Sequence, residues 1–326
     1  MKPTLLLPPA PDDSWKLAVQ AGVRYAVTKP TAALSGLGEP DRPGVLTRLR
    51  ARFADAGLEL LGLEGDPFDV SAIKLGGPMR DQAIERYIAL LGEMHAAGLG
   101  LLCFNFMVRP PRQSHDWSRT RLDHPTRGDA EATAFRLADL PEAGRHDEVD
   151  PHADAVWANF HAFVSEVLPF AVQAGVAMAL HPDDPPVPRL AGVDRIFGTR
   201  EAFEQATSRH PNLRVTFCQA NFLLMPGDLV DHARALADRI AFVHWRDVAG
   251  HAEHFSETFH DDGPTDMLGM LRLYAELGFN GPIRMDHAPL MHGEPTPWMP
   301  GYGVQGRLMA IAYLRGLLQG AGIVET

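Results

Sequence analysis

Four apolar runs in this chain end on residues that can bind a metal. VAMAL leads into His181, LRVTFC ends on Cys218, IAFVH ends on His244, and PIRM leads into Asp286. Two imidazoles, a thiolate and a carboxylate make a divalent metal site. The mix is borderline-soft, so Zn²⁺, Mn²⁺, Fe²⁺ and Co²⁺ all fit on ligand type alone. One His or Cys at the end of an apolar run is usually a structural residue; four such ends in succession form a pattern. His287 follows Asp286 directly and must point another way, over the mouth of whatever the runs enclose, where an imidazole can give or take a proton. Tyr302, in the tight PGYG turn, can bring a phenol to the same place. Arg246, two residues past His244, offers a guanidinium for a carboxylate or pairs with a nearby acid. His251, His254 and His260 stand among Glu253, Glu257, Asp261 and Asp262; most of these are expected to be solvated, with one reaching the site.

The elements that position these residues follow from the pattern. Strands are expected over 4–7, 23–27, 58–63 (with Glu64 at its end), 101–106, 176–180, 213–217, 240–243 and 282–285. Helices are expected over 13–21, 45–56, 81–97, 153–173, 200–208, 229–237, 266–277 and 304–319, with Pro169 kinking or ending the fourth. The strands read as continuous apolar runs without alternation, as they do when both faces of a parallel sheet are buried. Eight strand–helix pairs predict an α/β fold, a (β/α)8 TIM barrel, as one domain over 1–326. No glycine-rich phosphate loop follows the first strand, which counts against an open dinucleotide-binding sheet. The stretch 107–150, rich in Pro, Arg, Asp and His, is expected to be a long irregular loop, either a lid or binding loop or else a disordered segment; Trp117 and Phe135 point to partial order within it. In such a barrel the active site lies at the C-terminal ends of the strands, which brings distant strand-end residues into one ring.

Composition bounds the function. The chain has 326 residues, 45% hydrophobic and 22% charged, with a formal net charge of −11. With no clustered basic tract, nucleic acid is not an expected partner. No uninterrupted apolar run reaches the ~20 residues that span a bilayer, and MKPTLLLPPAPDD is too short in its apolar part for a secretory leader. A cytoplasmic protein without a membrane partner is expected. The two cysteines, Cys103 and Cys218, then read as one core residue and one ligand, not as a disulfide.

Several segments resemble the mannonate dehydratase family. They are IKLGGPMRD at 73–81, FNFM at 104–107, DWSRT at 116–120, HPDDPP at 181–186, FVHWRDV at 242–248, PIRMDH at 282–287 and PGYGVQGRL at 300–308. HPDDPP and the closing PGY…GRL segment are the most specific. The resemblance implies a xylose-isomerase-like barrel, a divalent metal, usually Mn²⁺, and loss of water from D-mannonate to give 2-keto-3-deoxy-D-gluconate. It places the metal ligands on His181, Cys218, His244 and Asp286, and the acid/base pair on His287 and Tyr302. Arg246, Asn105, Arg119 and His260 are the candidate substrate-binding residues. Where the family usually continues from its cysteine with Thr-Gly-Ser, this chain has Gln219, Ala220, Asn221 and Phe222, so a reshaped sugar pocket is expected. The partner is a small sugar acid, and a homo-oligomer is compatible with the sequence.

Two other classes of function share these features. A sugar or sugar-acid isomerase or epimerase uses enediolate chemistry on the same kind of barrel. A non-catalytic binder of a metal or sugar acid needs the ligands but not His287 and Tyr302 beside them.

Overall fold

The computed structural model describes residues 1–108, 118–140, 152–190 and 193–326. Its strands in chain order are β1 (Lys2–Leu6), β2 (Tyr25–Thr28), β3 (Glu59–Glu64), β4 (Leu101–Asn105), β5 (Arg121–Pro125), β6 (Glu131–Arg136), β7 (Ala177–His181), β8 (Arg189–Leu190), β9 (Val193–Asp194), β10 (Arg214–Cys218), β11 (Ile240–Trp245), β12 (Val248–His251), β13 (His254–Glu257) and β14 (Pro282–Met285). Eight of them close into a parallel barrel in the order β1-β14-β11-β10-β7-β4-β3-β2. These are the eight apolar runs of the sequence, and the fold is the expected (β/α)8 barrel.

Helices wrap the barrel and bury an apolar layer against it, with Leu49, Phe53, Leu90, Phe104, Phe160, Phe163, Phe203 and Phe217 among its members. Their ends follow local rules. The Asp12 side chain caps the helix Asp13–Gln20 by accepting from Ser14 N, and Asp228 caps Leu229–Ala235 in the same way. The helix Ala153–Ala174 does not end at Pro169, contrary to one of the expected outcomes; it runs on to Gly175. Its buried Val164, Val167, Leu168 and Ala171 flank the proline and hold the helix on the barrel despite the missing donor. This helix is long and apolar enough to cross a bilayer by length and composition, but that apolar face is spent on the core.

The expectation of an irregular 107–150 is overturned for much of its described part. Strands β5 and β6 lie there and join β12 and β13 in a four-stranded antiparallel sheet of order β12-β13-β6-β5. Phe135 of β6 and Phe255 of β13 are both buried, with ring centroids 5.7 Å apart. Backbone bonds in both directions between Glu131 and Leu290 tie the sheet to the segment after β14. The loop expected around His251 and His254 is likewise the β12–β13 hairpin. Residues 109–117, with Trp117, and 141–151 lie outside the described residues, as does the part of the proposed lid that they form.

Candidate active site

Parallel register sets the site. Cys218 pairs with His244 across β10 and β11, His244 pairs with Arg284 across β11 and β14, and Asn105 pairs with His181 across β4 and β7. Three strand ends therefore converge: the ligand atoms of His181, Cys218 and His244 all lie within 4.8 Å of one another. Nδ1 of His181 bonds to Pro182 O at 2.7 Å, which leaves Nε2 with its lone pair free for a metal. Burial pulls the His181 imidazole down to about 4, and burial with Arg284 alongside holds His244 well below its ordinary value, so both rings are neutral near pH 7 and able to offer a lone pair. Burial pushes the Cys218 thiol up to about 12. A soft thiol between two neutral imidazoles fits a divalent transition-metal ion by donor chemistry.

Asp286, the fourth expected ligand, sits just past β14. Its Oδ2 is 3.4 Å from His244 Nδ1, but it stands outside the tight three-residue cluster. Its oxygens are held by Arg246 Nε at 3.0 Å, Arg284 Nη2 at 2.9 Å and the Tyr302 hydroxyl at 2.9 Å. Burial works against the Asp286 carboxylate, yet Arg284, His287 and Arg246 hold its pKa well below the usual range, so it remains an anion.

His287 and Tyr302 pack side by side on the wall of one cavity, with ring centroids 4.8 Å apart. Tyr302 is buried, not a surface turn residue. Burial, and then Asp286, lift its phenol well above the ordinary value, while burial lowers His287. Gly301 makes the close approach possible. Its φ is +80°, and a Cβ there would stand 2.7 Å from His287 Nδ1. Gly301→Ala is expected to cost about 1–2 kcal/mol in backbone strain and to displace His287; a folded variant with wild-type turnover would show that the ring position is unimportant.

The cavity has a volume of about 1110 Å³, and Glu64, Lys74, Asn105, His181, His244 and Arg284 are on its wall. Of the candidate substrate-binding residues, Asn105 alone is on that wall; its Oδ1 accepts from Lys74 Nζ at 3.1 Å. Arg246 is fully buried and paired with Asp184 Oδ2 at 3.0 Å and Glu257 Oε1 at 2.5 Å. Arg119 grips the same two acids, at 2.9 and 2.5 Å. Both guanidiniums are thus engaged by Glu257 and by Asp184, the latter itself on the cavity wall. His260 Nε2 bonds to Trp245 O at 2.8 Å, behind the wall.

The residues after Cys218, where a reshaped pocket is expected, do not line the described cavity, although Asn221 Oδ1 accepts from Arg246 Nη2 at 3.1 Å. The chain turns at once into the helix Gln219–Leu224, and Gln219, Ala220, Asn221 and Phe222 are buried away from the described cavity wall. Gln219 accepts from the Tyr274 hydroxyl at 3.0 Å, and Phe222 stacks on Phe217.

Sequence reasoning gave Arg284 and Asp184 no role, placed Glu64 only at the end of a strand, and named Glu257 only among the loop residues of which one is expected to reach the site. Glu64 closes β3 and accepts from Arg284 Nη2 at 2.7 Å; burial raises its pKa to about 7 despite that arginine. Both had a signal. Glu64 ends an apolar run, as His244 does, and Arg284 is a charge inside one.

The closed parallel barrel, with the chemistry-bearing side chains at its strand ends, has the fold of the xylose-isomerase-like barrels. Similarity to D-psicose 3-epimerase from Clostridium cellulolyticum H10 (TM-score 0.62, 13% identity, 98% of this chain and 99% of that one) shows this fold and nothing finer. The chain belongs to the mannonate dehydratase family: the model of D-mannonate dehydratase (UxuA) matches residues 44–150 and 136–324. Mannonate dehydratase of Streptococcus pneumoniae (strain 70585) is 32% identical over 311 residues, covering 84% of this chain and 81% of that protein. The crystal structure of mannonate dehydratase from Streptococcus suis serotype 2 superposes with a TM-score of 0.86 at 29% identity, over 100% of this chain and 96% of that one. The family is one of hydro-lyases.

Proposed function

We propose that this chain dehydrates D-mannonate, or a closely related aldonate, to a 2-keto-3-deoxy acid. The observation that carries the reading is the meeting of His181, Cys218 and His244 beside a cavity faced by both His287 and Tyr302, in a chain of this family. His181, Cys218 and His244 would hold a divalent ion, with Asp286 as the fourth ligand; the family resemblance favours Mn²⁺ over Fe²⁺, Co²⁺ and Zn²⁺. Such an ion supplies Lewis acidity where negative charge builds on the substrate carboxylate.

The chain's own residues do the rest. Neutral His287 takes the proton from C2, and the bonding pair left behind moves toward the carboxylate as an enediolate. Tyr302, still protonated, delivers its proton to the 3-hydroxyl as the C3–O bond breaks, and water leaves. The enol so formed becomes the 2-keto acid by taking a proton at C3 as its 2-hydroxyl gives one up. Arg284 and Arg246 keep Asp286 ionised and aimed, and Asn105 with Lys74 offers hydrogen bonds to the sugar hydroxyls. A cytoplasmic setting is part of the proposal, in keeping with two free thiols.

An isomerase reading draws on the epimerases of the same fold, but those likenesses carry the fold alone. A panel of aldonates supplied to Mn²⁺-loaded protein separates the two. Formation of a 2-keto-3-deoxy acid supports the lyase, whereas epimerised aldonate without loss of water would replace it.

A further inference from the structure

We propose that Glu257, carried by the antiparallel sheet and not by the barrel, is the positioning residue of His287. In this arrangement Nδ1–H of His287 donates to the Glu257 carboxylate, which leaves Nε2 as the nitrogen that receives the C2 proton. The inference rests on the reading of His287 as the base.

The geometry comes from both side chains. Glu257 ends β13, is 1% exposed, and has its Oε1 3.5 Å from His287 Nδ1. Two buried atoms of this pair have no hydrogen-bond partner among the described residues, Nδ1 of His287 and Oε2 of Glu257. Buried polar atoms are rarely left unpaired, and two complementary ones on neighbouring side chains mark a bond that closes when the site is filled. Catalytic hydrogen bonds are commonly long before substrate arrives. The surroundings of Nδ1 offer little else. Gly301 passes beside it without a side chain, the Tyr302 ring flanks the imidazole, and Asp286 Oδ1 lies 3.6 Å from the other nitrogen.

Glu257 is itself rigidly held. Arg119 Nη2 and Arg246 Nη1 both donate to its Oε1 at 2.5 Å, and each arginine also grips Asp184. The four charges form a buried cluster joining the segment before β5, the turn after β7, the end of β11 and the end of β13, and Arg246 Nε extends it to Asp286 at 3.0 Å. Both guanidiniums bind Oε1, and Oε2 has no hydrogen-bond partner among the described residues, so it is open to a donor. A carboxylate behind an imidazole fixes its tautomer and ring orientation, a role that depends on geometry and not on fold. The antiparallel sheet thereby brings an acid to the rear of the base. The bland alternative is that Glu257 only neutralises Arg119 and Arg246, in which case its loss alters stability but not the tautomer of His287.

The test has two arms. Glu257→Gln, confirmed as folded and metal-loaded, is compared with the native protein for kcat, KM and C2–H exchange of D-mannonate in D2O. The expected result is a fall of on the order of a hundredfold in both kcat and exchange, with KM and metal content nearly unchanged. Separately, ¹⁵N-histidine NMR of the native protein loaded with diamagnetic Zn²⁺, with His287 assigned through His287→Asn, should show the Nδ1–H tautomer. Wild-type kcat in folded Glu257→Gln, or an Nε2–H tautomer in the native protein, overturns the proposal; if the variant does not fold, the native tautomer decides. Exchange that survives in His287→Asn defeats the base reading instead, so the two failures are distinguishable.

Discussion

Tyr302→Phe should exchange the C2 proton of D-mannonate with solvent yet form almost no keto acid, whereas His287→Asn should do neither. The phenylalanine keeps the ring that packs on His287 and removes only the hydroxyl bonded to Asp286 Oδ1. If the phenol protonates the departing 3-hydroxyl, its loss blocks C–O cleavage and leaves proton abstraction intact. If His287 is the base, its loss stops the reaction before any exchange. A positioned acid or base contributes about 10²–10⁴-fold, so each variant should fall in dehydration by that range with its metal content unchanged. Exchange lost in Tyr302→Phe and kept in His287→Asn would reverse the two roles. Near-normal keto-acid formation by Tyr302→Phe would remove the phenol from the mechanism.

The second large effect is expected at the ligands. Cys218→Ala or His181→Ala removes one of three donors that lie within 4.8 Å of each other. Loss of an outer partner of a metal ligand already weakens binding about 10–100-fold, and loss of a ligand itself should exceed that. Metal analysis after dialysis should find both variants depleted while the native protein keeps its ion. The fold should survive, since the barrel closes through backbone ladders and the apolar layer outside it. Full metal retention by both variants would mean that the ligand assignment is wrong.

Much of this was readable in the sequence because a parallel barrel writes itself plainly. Its strands are buried on both faces and appear as unbroken apolar runs, and their C-terminal residues must share one ring. That rule led to His181, Cys218, His244 and Asp286 from residue types alone, and register then paired Cys218 with His244. The antiparallel sheet was hidden for physical reasons. RLDHP of β5 is mostly exposed and does not alternate, and the β12–β13 hairpin turns at Ala252 and Glu253 without the Asn-Gly or Asp-Gly signal. Missing the sheet left Glu257 as one of several loop residues, with nothing to single it out. The buried cluster was equally illegible, because Arg119 meets Asp184 and Glu257 across 65 and 138 residues of chain. Arg246 could be read as a substrate clamp or as an ion-pair partner, and only the fold shows it engaged by Asp184 and Glu257. The residues after Cys218 pack behind the described cavity wall, and Asn221 reaches the site only through Arg246, a contact no sequence pattern shows.

Metal-dependent dehydration at this barrel mouth is decided by a metal titration of activity. Metal-free protein is given increasing Mn²⁺ in the presence of D-mannonate, while bound metal and 2-keto-3-deoxy acid are followed together. Activity is predicted to rise in proportion to bound metal, to level off at a single ion per chain, and to be absent from Cys218→Ala throughout. Full activity without metal, or a folded and metal-loaded protein that turns over no aldonate, would contradict it.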